Sequence, residues 1–578
     1  MPLAATSEYL PATMQARRAR YEALRASLVT ERSSFDSHWR EIGDFLLPRR
    51  TRFYASDRNK GDKRNQNIID STARFSLRTL QSGLHAGLTS PARPWMKLTT
   101  TDPELAKFPP VKAWLHIVTQ RMLDVFLGTN LYNALPMLYG DFGMFATASM
   151  AVVDDDKDLF RCYPYPTGSF ALGVNRRGLV STFVREYELT VRQVIEEFGL
   201  QRDGRTIDWS TISLRVRNLW DKGNYEAAVA LVWLVKPNDD ARPERLEARY
   251  KRFVSCHYEQ GADEGKLLRE SGFDTFPILA PRWDVTGEDT YGTDCPGMTA
   301  LGDIKQLQLM QRRKGQAIHK MIDPPLVGPN ALRGQKTSLL PGDITYVDTR
   351  EGQGGLRSIH EVRLDLSHLT VDIGQVQYRI QRAFYEDLFL MLAHSDRDRG
   401  GQPVTAREID ERHEEKLLAL GPVLERTNDE LLDPLVDRVF AMMLQAGLIP
   451  EPPDALAGGQ PLKVEYISIM AQAQKLVGVV GQDRFLQSTI ALFEAFPEAR
   501  HKVVIFQAID NYGDMLGVDP RIVRSTEDAE ALQSAEAQAQ QEAAAAEQAK
   551  SMGAAIKSAG STPMGGDTAL NRIVESAA

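Results

Sequence analysis

The sequence predicts a mainly helical chain with smaller β parts, an α+β protein of several units. Three observations carry this. The 578-residue length exceeds what one hydrophobic core serves, and about 100 to 200 residues per domain gives three or four units. Apolar residues recur at steps of three, four or seven over long stretches at both ends of the chain, the signature of amphipathic helices. Between about 148 and 258 the pattern changes to short alternating runs bounded by turn residues, the signature of hairpins.

The first helix is expected from about Thr13 to Leu47, with Tyr21, Leu24, Leu28, Phe35, Trp39, Ile42 and Leu46 on one stripe and Pro48 as its stop. A basic, turn-rich loop follows from Arg49 to Asn67. A second helix carries Ile69, Ala73, Leu77, Leu80, Leu84 and Leu88 and stops at Ser90-Pro91, and two more lie near Val111 to Leu127 and Leu131 to Met144. Ala148 to Val153 with Leu159 to Tyr163, and Phe170 to Gly173 with Leu179 to Tyr187, read as two hairpins. Thr190-Val-Arg-Gln193 is a capping box, in which the hydroxyl accepts from the amide three residues on and the glutamine reaches back. Gly199 is expected to end that helix in a left-handed conformation. Strands at Ala228 to Val235 and Arg252 to Tyr258 close this part near Ala280.

The stretch from Pro281 to Pro325 is a rod: an aromatic and Gly/Pro-rich lead-in, a helix of about six turns, and a stop at Pro324-Pro325. Leu301, Ile304, Leu307 and Met310 form its stripe, which Arg312, Arg313 and Lys314 interrupt. A small Gly- and Pro-rich module with short strands runs from Asp323 to Glu361. A helix from about Leu366 to Leu392 follows, then the charged loop His394 to Pro403. A third long helix opens at Thr405 and spans about 60 Å at 1.5 Å per residue, with a kink expected at Gly421-Pro422. Pro450 to Pro461 is a linker and further helices extend to about Val523. The Ala/Gln/Glu composition from Glu527 to Lys550 favours an exposed helix by propensity, and Ser551 to Ala578 reads as flexible.

Composition narrows the function. Hydrophobic residues at 43% and charged residues at 25% are ordinary globular values. No apolar run reaches the roughly 18 residues of a spanning helix, and the N-terminal stretch lacks the apolar segment of a signal peptide, so a cytoplasmic protein without direct membrane contact is expected. Cys162, Cys256 and Cys295 have no metal-ligand spacing and read as buried thiols. A net charge of −8 argues against a broad basic face gripping nucleic acid, since tight phosphate binding needs many aimed cations.

Motifs for chemistry are weak. Gly328 to Thr337, GPNALRGQKT, resembles a phosphate loop but places Gln335 between Gly334 and Lys336, so amine and loop amides would not meet one phosphate. Asp154, Asp156 and Asp158 begin a calcium-loop spacing, yet Leu159 and Tyr165 stand where glycine and glutamate belong. His413-Glu-Glu-Lys416 lacks the second histidine of a zinc helix. No catalytic residue, cofactor or metal is therefore assigned, and the sequence reads as non-enzymatic.

Pro281 to Leu309 carries PRW, YG, PG and ALGDIKQLQ, which resemble the portal (head-to-tail connector) proteins of short-tailed bacteriophages. Four more segments fit in the same order: Ile68 to Leu98, Glu186 to Gly199, Ile380 to Phe389 and Thr405 to Arg438. Together they cover most of residues 10 to 450. Cys295 departs from the pattern, standing before Pro-Gly where a small or hydroxylated residue is expected, and the chain after Glu451 is assigned by position only.

The resemblance implies a ring, usually of twelve subunits, at one vertex of the phage head, through which double-stranded DNA is packaged and ejected. It assigns 1–280 to a wing region, 281–322 and 362–393 to the two stem helices, and 323–361 to a clip. Residues 394–404 become a tunnel loop, 405–450 a kinked wing helix, 451–525 a helical crown, and 526–578 a helical or flexible tail. Implied partners are the terminase large subunit, head-tail adaptor and tail proteins, and major capsid and scaffolding proteins. The expected location is the virion's head-tail junction, and the host cytoplasm during assembly.

Candidate channel cations are Lys305, Arg312, Arg313, Lys314 and Lys320; the alternative for each is a residue that is solvated or ion-paired between subunits. In the tunnel loop, His394, Ser395, Asp396, Arg397, Asp398 and Arg399 alternate charge, which weakens net attraction for DNA and favours sliding. The rival reading is a catalytic component of the packaging machine, an NTPase or nuclease, for which the failed phosphate loop is the sole support. A non-viral helical scaffold is a third reading, which predicts no closed rings.

Overall fold

The computed structural model describes residues 14–57, 61–201, 205–242, 244–245, 247–262, 265–322, 326–327, 357–358, 366–394, 420–456, 462–467 and 526–560, with 506 and 509. It is a mixture of helix and sheet, as the sequence predicts. Met1–Gln474 form one compact unit and Lys475–Ala578 a second.

In the first unit, α1 (Met14–Phe45) lies across a five-stranded antiparallel sheet. The sheet order is β4 (Phe170–Val174), β5 (Val180–Thr190), β6 (Ala228–Pro237), β7 (Phe253–Glu259) and β8 (Arg269–Phe273). Strand alternation divides its side chains between two cores. Val184, Val232, Leu234, Cys256 and Tyr258 pack with Tyr21 and Leu28 of α1, whereas Phe183, Val229, Leu231 and Trp233 point into the main core. That main core is built around α2 (Thr72–Leu88), α4 (Pro109–Gly128) and α5 (Leu131–Phe145), preceded by β1 (Met96–Thr100) and the short α3 (Pro103–Lys107). A three-stranded sheet, β3 (Leu159–Tyr165), β2 (Ser149–Asp155) and β9 (Ile278–Leu279), adjoins it.

Both predicted hairpins form, β2 with β3 and β4 with β5. The capping box at Thr190 forms too, opening α6 (Val191–Val194) with both reciprocal hydrogen bonds. Gly199 is a correction: it is not among the residues with positive φ, and it closes a π-helical turn, Ile195–Gly199. Its lack of a side chain serves a close contact instead, because a Cβ there would sit 2.8 Å from Ile212 Cδ1. After α7 (Leu214–Asp221) and β6 to β9, the chain enters α8 (Pro296–Ile322), whose 27 residues span about 40 Å.

The helix expected from Leu366 to Leu392 is two helices, α9 (Ser367–Ala383) and α10 (Glu386–His394). Tyr385 breaks it by adopting φ +55°, and the Glu386 carboxylate that follows accepts from Ser76 Oγ at 2.6 Å on α2. The long helix expected from Thr405 is described from residue 420 onward. There a π segment, Asn428–Leu432, precedes α11 (Asp433–Gln445), where Pro434 supplies no backbone donor and the hydrogen-bond register shifts. The two-residue strands β10 (Leu326–Val327) and β11 (Arg357–Ser358) pair antiparallel; the rest of the predicted clip module, with its Gly328 to Thr337 motif, lies outside the described residues. So do His413, the tunnel loop from Ser395 to Arg399 and most of the predicted crown. β12 (Leu462–Tyr466) returns to pair with β1. In the second unit, α12 (Thr526–Gly560) is a helix whose described side chains are almost all exposed, as its composition predicts.

All three cysteines are buried, and burial pushes the Cys162 and Cys295 thiols up to about 12. Among the described residues no group of His, Cys, Asp and Glu is arranged to hold a metal ion, and no helix is long and apolar enough to cross a membrane.

Candidate functional site

The candidate site is the pair α8 and α9, the predicted stem, with the stretch that anchors it. The lead-in is fixed residue by residue. Arg282, 3% exposed, is a hub: its guanidinium meets Glu430 at 2.5 Å and donates to the Gly178 carbonyl at 2.7 Å. Trp283 packs on Phe142, with ring centroids 4.9 Å apart. Tyr291 sits against Trp39, and its hydroxyl accepts from the Leu172 amide at 2.9 Å. Gly292 and Gly297 are required by approach: a Cβ would fall 2.3 Å from the Ala146 carbonyl oxygen and 2.4 Å from that of Met144. The YG and PG pairs of the sequence are therefore contacts of the lead-in with the end of α5.

Along α8, Leu301, Ile304 and Leu307 are buried as predicted, and the last buried residue is Gln308, while Met310 is only partly covered. Gln308 is 4% exposed, and both its oxygen and its nitrogen are hydrogen-bonded. Its oxygen accepts from the Ile69 and Asp70 amides at 2.6 and 2.8 Å, and its nitrogen donates to the Asp70 carbonyl at 2.9 Å. The Asp70 carboxylate then gathers three elements. One oxygen accepts from the Thr72 amide at the start of α2; the other accepts from Gln311 of α8 at 3.1 Å and Gln377 of α9 at 2.9 Å. Burial alone would raise the Asp70 pKa, but these hydrogen bonds outweigh it and hold the carboxyl below its ordinary value. Higher on the pair, Arg379 of α9 grips Asp303 of α8 through two nitrogens, at 2.8 and 3.1 Å.

Sequence reasoning missed this clamp. Glutamine on a helix normally reads as solvated. A signal was present, because Gln308 lies four residues after Ile304 and seven after Leu301, in phase with the buried stripe.

Past Gln308 no described residue of α8 is fully buried. Leu309, Met321 and Ile322 are more than half exposed there, and on α9 Val371 and Tyr378, seven residues apart, are about 60% exposed. The five candidate cations separate by face. Lys305 is tied to Glu41 of α1 at 2.5 Å. Arg312 and Arg313 are exposed, Lys314 is partly buried and Lys320 is exposed, and none of these four makes an ion pair with another described residue. At 100° per residue Arg313 and Lys320 share the face turned away from the buried stripe, Arg312 and Lys305 share its flank, and Lys314 stands on the other side. Asp154 of the supposed calcium spacing is an exposed residue on β2, 3.7 Å from Arg438.

A mixed α/β body with two helices clamped to it, the first leaving the core half-way along its length, is the frame on which the comparisons fall. A family model described as "Bacteriophage head to tail connecting protein" matches residues 18–523, and the chain belongs to that family. It is 44% identical over 513 residues to the "Portal protein" of Salmonella phage epsilon15, covering 89% of this chain and 90% of that protein. It is also 44% identical over 497 residues to the "Probable portal protein" of Bordetella phage BPP-1, covering 86% and 87%. Two solved structures, "Virion of native gene transfer agent (GTA) particle" and "Neck of empty GTA particle computed with C6 symmetry", match at 10% identity over 68% of this chain and 91% and 89% of theirs. Their TM-scores of 0.28 and 0.26 are too low to carry an argument.

Proposed function

We propose that this protein is the structural portal of a phage particle: a ring of copies at one capsid vertex through which double-stranded DNA is packaged and later ejected. The observation that carries the reading is the match of residues 18–523 to the connector family, with relatives at 44% identity over nearly nine-tenths of the chain. The two clamped helices are the stem, and residues 395–404, which follow the end of α10 at His394, the loop that meets DNA above it. The exposed apolar residues Val371 and Tyr378 are where neighbouring copies pack, since single copies would leave that surface in water. Twelve copies at −8 each make a strongly negative ring that repels phosphate diffusely, while a few cations steer the duplex. The energy for packaging comes from a separate terminase motor docking at the clip, and adaptor and tail proteins take its place afterwards. Major capsid and scaffolding proteins contact the body.

Arg313 and Lys320 are the steering cations of choice, because they share the outward face and have no described partner. The double variant R313E/K320E is expected to assemble normally and to package or retain less DNA. Wild-type packaging by assembled variant particles would remove the role. Deleting residues 395–401 should likewise leave rings intact and impair packaging or retention, and normal packaging would refute the loop assignment.

A further inference from the structure

The face of the five-stranded sheet turned away from α1 carries four side chains in one row. Arg185 on β5 pairs across to Trp233 on β6, Trp233 to His257 on β7, and His257 to Arg269 on β8. The row forms part of a cleft of about 570 Å³ walled by Tyr165, Tyr187 and Phe198, a volume within the range of small-molecule sites. No residue of α8 or α9 lines it.

The two guanidiniums of this cleft, Arg185 and Arg269, equal its two carboxylates, Glu196 and Glu197, in number, but they are not paired one to one. Arg269 is matched by Glu197 at 2.9 Å and lies over the Phe198 ring. His257 is kept neutral, pushed down to about 3 by burial and then by the two arginines, and its Nδ1 lies 3.1 Å from the Tyr187 hydroxyl. Arg185 has its guanidinium carbon 4.2 Å from the Tyr165 ring centroid and 4.8 Å from that of Tyr187. These contacts hold its flat face, and the guanidinium also donates a hydrogen bond to the Tyr165 hydroxyl, which leaves its remaining donors for a ligand. Its Nε is buried without a hydrogen-bond partner among the described residues, and no described carboxylate pairs with it.

One unmatched cation calls for one negative charge. A phosphate dianion would bring a second, close to Glu196 and Glu197 at the rim, so a carboxylate fits better. The remaining walls, with the Trp233 and His257 rings stacked at 5.5 Å, suit a flat apolar body. We propose that this cleft binds an aromatic carboxylate, the fork of Arg185 taking the carboxylate and the aromatic walls taking the ring. The same chemistry is available from a free aromatic acid or from a protein segment presenting an acidic side chain beside an aromatic one.

The test is calorimetric titration of the full-length protein with three probes: N-acetyl-phenylalanine, its neutral amide, and the blocked dipeptide acetyl-Glu-Phe-amide. At least one of the two acids is expected to bind, with the neutral amide about tenfold weaker or worse. R185M should lose about tenfold or more, and R185K, which keeps the charge and lacks the fork, should fall between. Stronger binding of the dipeptide assigns the source to a protein segment, and stronger binding of the free acid to a small molecule or chain terminus. Failure of both acids at millimolar concentration, equal binding of the amide, or unchanged binding by a folded R185K variant would overturn the proposal.

Discussion

Asp70 carries more of the architecture than any charged residue of the paired helices. Its carboxylate joins the start of α2 to both α8 and α9, and Gln308 closes the same junction through the backbone. Its pKa is held below the ordinary value, so the charged form is favoured by the fold. The sign follows: this stabilisation is complete above the unfolded pKa of about 3.9 and is lost as pH falls through the lower folded value. D70N is expected to cost about 1 to 3 kcal/mol at neutral pH, read as a lower melting temperature, and to show less further loss below pH 4 than the wild type does. An unchanged melting temperature would mean that the clamp is not a stabilising contact.

The elements were legible where one periodicity decided them. α1, α2, α4 and α5 and both hairpins follow from apolar spacing and turn residues, and the capping box at Thr190 from four letters of sequence. What escaped is interaction at a distance. The break at Tyr385 has no Gly or Pro to announce it, because contacts of α10 with α2 impose it. Arg18 and Arg32 of α1 are buried on the face read as apolar, each bonding a main-chain carbonyl of the sheet region, and only their phase with that stripe distinguishes them from solvated arginines. The site was half legible: the rod and the end of its buried stripe were visible, while the Asp70 and Gln308 clamp was not. At this scale the lead-in makes a sharp prediction. G297A would press a methyl to within 2.4 Å of the Met144 carbonyl oxygen, and since backbone must shift to relieve it, a loss of about 1 to 3 kcal/mol is expected in thermal unfolding. No loss would show that the start of α8 is not held against α5.

At the scale of the molecule, the paired helices, the body and the charge make sense together. The body has a large core of its own and positions α8 and α9 from one end, and among the described residues the far part of α8 and one face of α9 are left largely exposed. A net negative chain, whose acidic residues outnumber its many cations, suits a conduit that guides DNA without holding it. The central claim is that copies of this chain close into a ring around a channel, with the stem helices between neighbours. Electron microscopy of the purified full-length protein tests it most directly, with V371D/Y378D beside the wild type. The account predicts closed rings with a central hole for the wild type, and folded but unassembled subunits for the double variant. Wild-type protein that remains monomeric at high concentration, or a variant that assembles as well as the wild type, would contradict it.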